Sequence, residues 1–132
     1  MTVATKTDRK KIGKRLDDLF SRYIRLRAMK RVGGCERCHA KKVSYKELQT
    51  AHCHTRRKMT TRWDERNAAG LCAGCHMHID SHAEDKIDFF RNLLGEQDYE
   101  SLLVSATMTT KQSPIDYVLL EIYLKQLLKE VE

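Results

Sequence analysis

The sequence predicts a mostly helical α+β domain: a short strand pair and a helix stapled by a four-cysteine metal site, flanked by an N-terminal helix and C-terminal helices. Three observations lead there. Apolar residues recur at three- and four-residue spacing towards both ends of the chain, and Cys-x-x-Cys pairs stand at 35–38 and 72–75. Between the pairs the pattern breaks into short, irregular pieces, one of them with alternating faces. A length of 132 residues fits one domain, read as a basic helix at 8–32, a metal-bearing centre at 35–82 and helices over 83–132, with no repeat or low-complexity segment.

In the first helix, Ile12, Leu16, Leu19, Phe20, Tyr23 and Ile24 make one apolar stripe. Asp8 is the expected cap and Gly33-Gly34 the stop, while Lys10, Lys14, Arg22 and Arg25 fall on the other face. "ELQTAHCH" (47–54) reads as a strand with Leu48, Thr50, His52 and His54 on one side and Gln49, Ala51 and Cys53 on the other. "AAGLC" reads as a second strand, and "AGCHMHIDSH" begins a helix. Further helices are expected over 83–94, stopped by Gly95, and over 98–106. Ser113, Pro114 and Asp116 form a helix start, and the apolar band that follows to Val131 is wide enough to meet both the core and a second subunit.

Twenty-five Lys and Arg against 18 Asp and Glu leave a net charge of +7, which favours a polyanionic partner. No apolar run approaches the roughly 18 residues of a membrane span. "MTVATKTDRKK" lacks the apolar stretch of a signal peptide, so a cytoplasmic, intracellular protein is expected. Five cysteines in a reducing compartment argue for metal over disulfides.

Cys35, Cys38, Cys72 and Cys75 supply four soft ligands with knuckle spacing, the set a structural Zn²⁺ takes. The alternative shell leaves some thiols free and substitutes His39 or His76. Cys53 reads as a small buried side chain. The remaining histidines are dense: His52 and His54 on one strand face, His76 with Asp80 one turn on, and His78 with His82. Such density beside a basic loop suggests a second, harder metal site.

"AHCH", Asn67 and "LCAGCH" together resemble the HNH endonuclease superfamily, in the small phage and prophage type with two Cys-x-x-Cys knuckles. The spacing from His52 to Asn67 to His76, with 14 and then 8 intervening residues, carries the resemblance across roughly Cys35 to His82. It implies a ββα-metal fold in which a hairpin and a helix grip one divalent cation. By position His52 is the general base, Asn67 fixes the hairpin, and His76 ligates a catalytic Mg²⁺ or Mn²⁺. Products with 5′-phosphate and 3′-hydroxyl ends follow by the same analogy. Many members carry a metal ligand just before the base, where this chain has Ala51; His54 is the candidate replacement, followed by Asp80 or His82. The other register exchanges the roles of His52 and His54, and the first is preferred.

The loop "TRRKMTTRW" places Arg56, Arg57, Lys58 and Arg62 between the halves of this centre, where they would neutralise phosphates. Trp63 reads as an anchor for the loop, and Asp64 and Arg66 as local cap and ion pair. The expected function is metal-dependent endonucleolytic cleavage of DNA. The alternatives are a non-catalytic, zinc-stabilised nucleic-acid-binding module and an assembly protein acting through its C-terminal helix. DNA is the expected partner, with a second copy of the chain or a phage-encoded protein beside it.

Overall fold

The computed structural model describes residues 5–109 and 114–132. Among these residues five helices surround one antiparallel hairpin: α1 (Lys6–Val32), β1 (Gln49–His52), β2 (Ala68–Leu71), α2 (Ala73–Ser81), α3 (Ala83–Leu94), α4 (Glu96–Thr107) and α5 (Pro114–Val131). This is the mostly helical α+β arrangement the pattern predicts. None of the described helices is long and apolar enough to cross a membrane.

The start of α1 corrects the expected cap. Thr5 is the N-cap, and Asp8 sits three residues on, where its carboxylate returns the bond to the Thr5 N–H; the pair is a capping box that begins the helix two residues early. At the other end Gly33 takes φ 69°, a left-handed value that suits glycine, and donates to the Met29 carbonyl. Leu16, Phe20, Tyr23 and Ile24 are buried as one stripe. Arg27 lies on that stripe too: it is 8% exposed and donates to the carbonyls of Glu65 and Ala68. A buried guanidinium that binds carbonyls on both sides of Asn67 ties α1 to the turn preceding β2.

Strand β1 is shorter than its alternating pattern. It ends at His52, because the Asn67 side chain takes both backbone groups of His54: Oδ1 accepts from the His54 N–H and Nδ2 donates to the His54 carbonyl. The Cys53 N–H still donates to the Asn67 carbonyl, but beyond that bond the strand gives way to a bend, and His54 does not share the face of His52. Helix α4 also begins earlier than expected, at Glu96, directly after Gly95 with its φ of 83°. Ser113, the expected cap of α5, lies outside the described residues.

The core has two clusters. One gathers Ala28, Cys35, Leu48, Ala51, Ala69, Leu71, Cys75, Ile79, Phe90 and Tyr99 around the hairpin. The other packs α5, through Leu124 and Leu128, on Leu16, Phe20, Tyr23 and Ile24 of α1, with Trp63 between them. The band on α5 is thus divided: Leu124 and Leu128 are buried, while Ile115, Val118, Leu119 and Ile122 are exposed.

Candidate metal centre and adjoining cleft

Two backbone devices bring the cysteine pairs together. The first knuckle follows Gly34, whose bridge to Lys41 folds the chain back, with His39 at the tip in a left-handed conformation (φ 61°). The Cys35 N–H donates to the Ala40 carbonyl, and the His39 N–H to the Cys35 carbonyl. The second pair opens α2, where Cys72 is the N-cap and its sulfur accepts from the Cys75 N–H. Glu36 docks the first knuckle on β2: its N–H donates to the Gly70 carbonyl and its Oε1 accepts from the Gly70 N–H. The sulfurs of Cys35, Cys38, Cys72 and Cys75 lie within 4.8 Å of one another. Such a set can hold a Zn²⁺ ion. Neither His39 nor His76 belongs to it, which removes the mixed shell.

The electrostatics of the thiols fit the same occupant. Burial raises the cost of a thiolate at Cys35, but the backbone N–H groups of Cys38, Cys72 and Arg37 outweigh it and bring its pKa down. Burial pushes the Cys75 thiol up, against a hydrogen bond from the Arg37 guanidinium to its sulfur at 3.4 Å. A divalent cation relieves this conflict by compensating all four thiolates together. Cys53 stays apart, half-buried, with its thiol pushed up to about 11 by burial.

Beside the hairpin lies a cleft of about 440 Å³. It is lined by Asp17, Phe20 and Ser21 from α1, Gln49, Thr50 and His52 from β1, Arg56 from the loop and His76 from α2. His52 and His76 therefore share one cleft. Burial, and secondarily the charge of Arg56, push the His52 imidazole down to about 4, so the ring is neutral at pH 7. His76 has its Nδ1 2.8 Å from Gln49 Oε1 and its Nε2 3.2 Å from Asp80 Oδ2. With Nδ1–H donating to Gln49, the Nε2 lone pair of a neutral ring faces a carboxylate oxygen. The other Asp80 oxygen lies 3.9 Å from Lys86 Nζ.

Other expected site residues are placed differently. Asn67 is fully buried and clamps His54 as described. His54 does not line the cleft, and its Nε2 is buried without a hydrogen-bond partner among the described residues. Ala51 is fully buried in the hairpin cluster. His82 stacks on His78, with ring centroids 4.0 Å apart, and its Nδ1 meets the His78 carbonyl. Arg56 lines the cleft, 3.6 Å from Asp17. Arg57 and Lys58 face the end of α4 instead. Arg62 is held in a two-point bridge by Asp17, at 3.0 and 2.6 Å, and the same carboxylate accepts from the Trp63 indole. Trp63 is the loop anchor expected of it, 5% exposed, and Asp64 caps the turn at Glu65–Asn67 and pairs with Arg66.

Asp17, Gln49 and Lys86 escape sequence reasoning. Asp17 reaches the cleft from α1, with no sequence signal beyond its place beside Leu16. Gln49 reads as an ordinary strand residue. Lys86, on α3, adds positive potential at both His52 and His54. A larger groove of about 630 Å³ runs between the loop and α5, lined by Met59, Trp63, Leu119 and Tyr123 among others, and no imidazole or thiol faces it. No family model, no curated protein and no solved structure matches the chain.

Proposed function

We propose that the chain is a metal-dependent endonuclease of the HNH type, hydrolysing phosphodiester bonds in DNA at the cleft. The observation that carries this reading is the convergence of His52, His76 and Arg56 on one cleft beside a hairpin clamped by Asn67. A neutral imidazole can accept a proton from water, and a guanidinium beside it can meet a phosphate oxygen. His52 accepts that proton. The nearby negative phosphate opposes Arg56 and raises the basicity of His52 when substrate arrives. Asn67 keeps the turn after β1 in place, and Gln49 fixes the ring of His76.

His76 and Asp80 are the residues that would hold Mg²⁺ or Mn²⁺. Their facing acceptor atoms fit a hard cation, and Mg²⁺ commonly takes one or two protein ligands, with water and substrate phosphate completing its shell. When bound, the ion supplies charge stabilisation at the cleaved phosphate and the leaving oxygen. Asp80, which meets His76 from one turn on rather than lining the cleft itself, takes the place expected of His54, whose Nε2 is buried. The four-cysteine site would carry structural zinc.

The test is plasmid cleavage by zinc-loaded protein with Mg²⁺, Mn²⁺ or neither. The expected result is cation-dependent nicking or cutting that His52→Ala lowers by at least 10²-fold, the lower end for general-base loss, while DNA retention persists. Retention of DNA without cleavage by any divalent ion would instead leave a zinc-stabilised binding module.

A further inference from the structure

The first turns of α1 break a rule of helix stability. Residues 6–15 carry six cations, Lys6, Arg9, Lys10, Lys11, Lys14 and Arg15, against the single acid Asp8. Asp8 is committed to the capping box. Cations at a helix N-terminus oppose the macrodipole, and like charges four residues apart, as in Lys6–Lys10 and Lys10–Lys14, repel. Residues 5–11 are all exposed, so no packing offsets this locally. Among the described residues Lys6, Arg9 and Lys10 enter no salt bridge, and Lys14 only an exposed one with Asp18. A sequence selected for helix stability alone would put acids here. Arg15 is met by Glu121 of α5 and Lys14 by Asp18, but Lys6, Arg9 and Lys10 have no such partner among the described residues, and an anion outside the chain would offset their charge.

The direction of the arm says which anion. Lys6, Lys10, Lys14, Asp17 and Ser21 follow one another at four- and three-residue steps, so they share a helix face, and Asp17 and Ser21 line the cleft. The basic face thus runs out of the cleft along a rigid helix. At 1.5 Å per residue, Lys10 stands about 10 Å and Lys6 about 16 Å along the axis from Asp17. That span matches roughly five phosphates on one DNA strand at 3.4 Å each.

We propose that this end of α1 is a phosphate-tracking arm, in which Lys6, Arg9, Lys10 and Lys14 hold the DNA backbone on one side of the cleft. The proposal rests on the reading of the cleft as a DNA site, and the two can fail separately.

The experiment measures binding of the full-length, zinc-loaded protein to a labelled 30-base-pair DNA duplex in magnesium-free, chelator-free buffer across a salt series. The variant K6Q/R9Q/K10Q keeps good helix formers, so its far-UV circular dichroism stays as in the wild type and its Tm is equal or higher. Each lost phosphate contact removes about 0.9 from the slope of log K against log salt. The slope should therefore fall by about 2 to 3, and the low-salt Kd rise at least tenfold. The control K30Q/K125Q/K129Q makes the same change in net charge away from the arm and should leave the slope nearly unchanged. An unchanged slope in the arm variant, or equal losses in both variants, overturns the proposal. Tighter retention of an RNA duplex of the same length overturns DNA as the occupant. A protein that binds through the arm but never cleaves keeps the arm and loses the hydrolytic reading. One that cleaves with an unaltered slope does the reverse.

Discussion

His52 shows how one side chain can be useful and costly together. Its ring packs 5.9 Å from Phe20, and burial with the Arg56 charge holds its folded-state pKa near 4, below the ordinary 6.5. A depressed histidine pKa means that the folded protein resists protonation at this site. The associated stability is complete above pH 6.5 and is lost as the pH falls from 6.5 towards 4, about 3 kcal/mol in all. Between pH 7 and pH 5 the wild type should lose about 2 kcal/mol more than His52→Gln in urea titrations of the zinc-loaded proteins. Zinc release at low pH is common to both and cancels in the difference; equal losses would mean that the ring is not buried in neutral form. Residue chemistry was readable where the chain places partners close in sequence, as in each Cys-x-x-Cys pair. Asp17 was not readable, because its partners Arg62 and Trp63 lie 45 and 46 residues away and only the docking of α1 brings them together.

Among the elements, the hairpin is the one the site depends on, and it is fixed by backbone contacts more than by strand length. Each strand has four residues, too few for an isolated hairpin to persist in water. Period-two alternation identified the first strand but overran it, since a side-chain clamp such as that of Asn67 on His54 leaves no trace in hydrophobicity, while the second, buried at every position, shows no alternation. Gly70 makes the closest approach to α1: a Cβ there would stand 2.7 Å from the Ala28 Cβ and 3.4 Å from the Arg25 Cα. Neither is the free end of a flexible side chain. Gly70→Ala should therefore destabilise by about 1–3 kcal/mol, as overpacking does, despite the small gain from stiffening the unfolded chain. Ala28→Gly removes the opposing methyl and should return part of the loss when the two changes are combined. A double-mutant cycle by chemical denaturation measures this, and strictly additive effects would show that the strand and helix do not meet at this point.

At the scale of the whole molecule, the two apolar clusters differ in what holds them. The cluster of α1 and α5 is a helix–helix contact supplemented by Arg15–Glu121 at 2.6 Å and Arg22–Glu132 at 2.7 Å, both exposed enough to contribute little. The hairpin cluster includes Cys35 and Cys75 themselves, so its packing and the metal site are one structure. The mostly helical α+β class was legible from helical period and cysteine spacing, but this division was not, since a wide apolar band does not say which half finds a partner. Structural zinc contributes about 10–16 kcal/mol in small zinc domains, comparable with the whole stability of an ordinary domain. Chelation should therefore unfold the hairpin half before the α1–α5 half, and unfolding should cease to be two-state. Hydrogen exchange of the chelated protein should show protection lost across β1, β2, α2, α3 and α4 while the middle of α1 and the buried turns of α5 remain slow. Uniform loss would mean that the clusters are one cooperative unit; unchanged protection would mean that the four sulfurs hold nothing the fold requires.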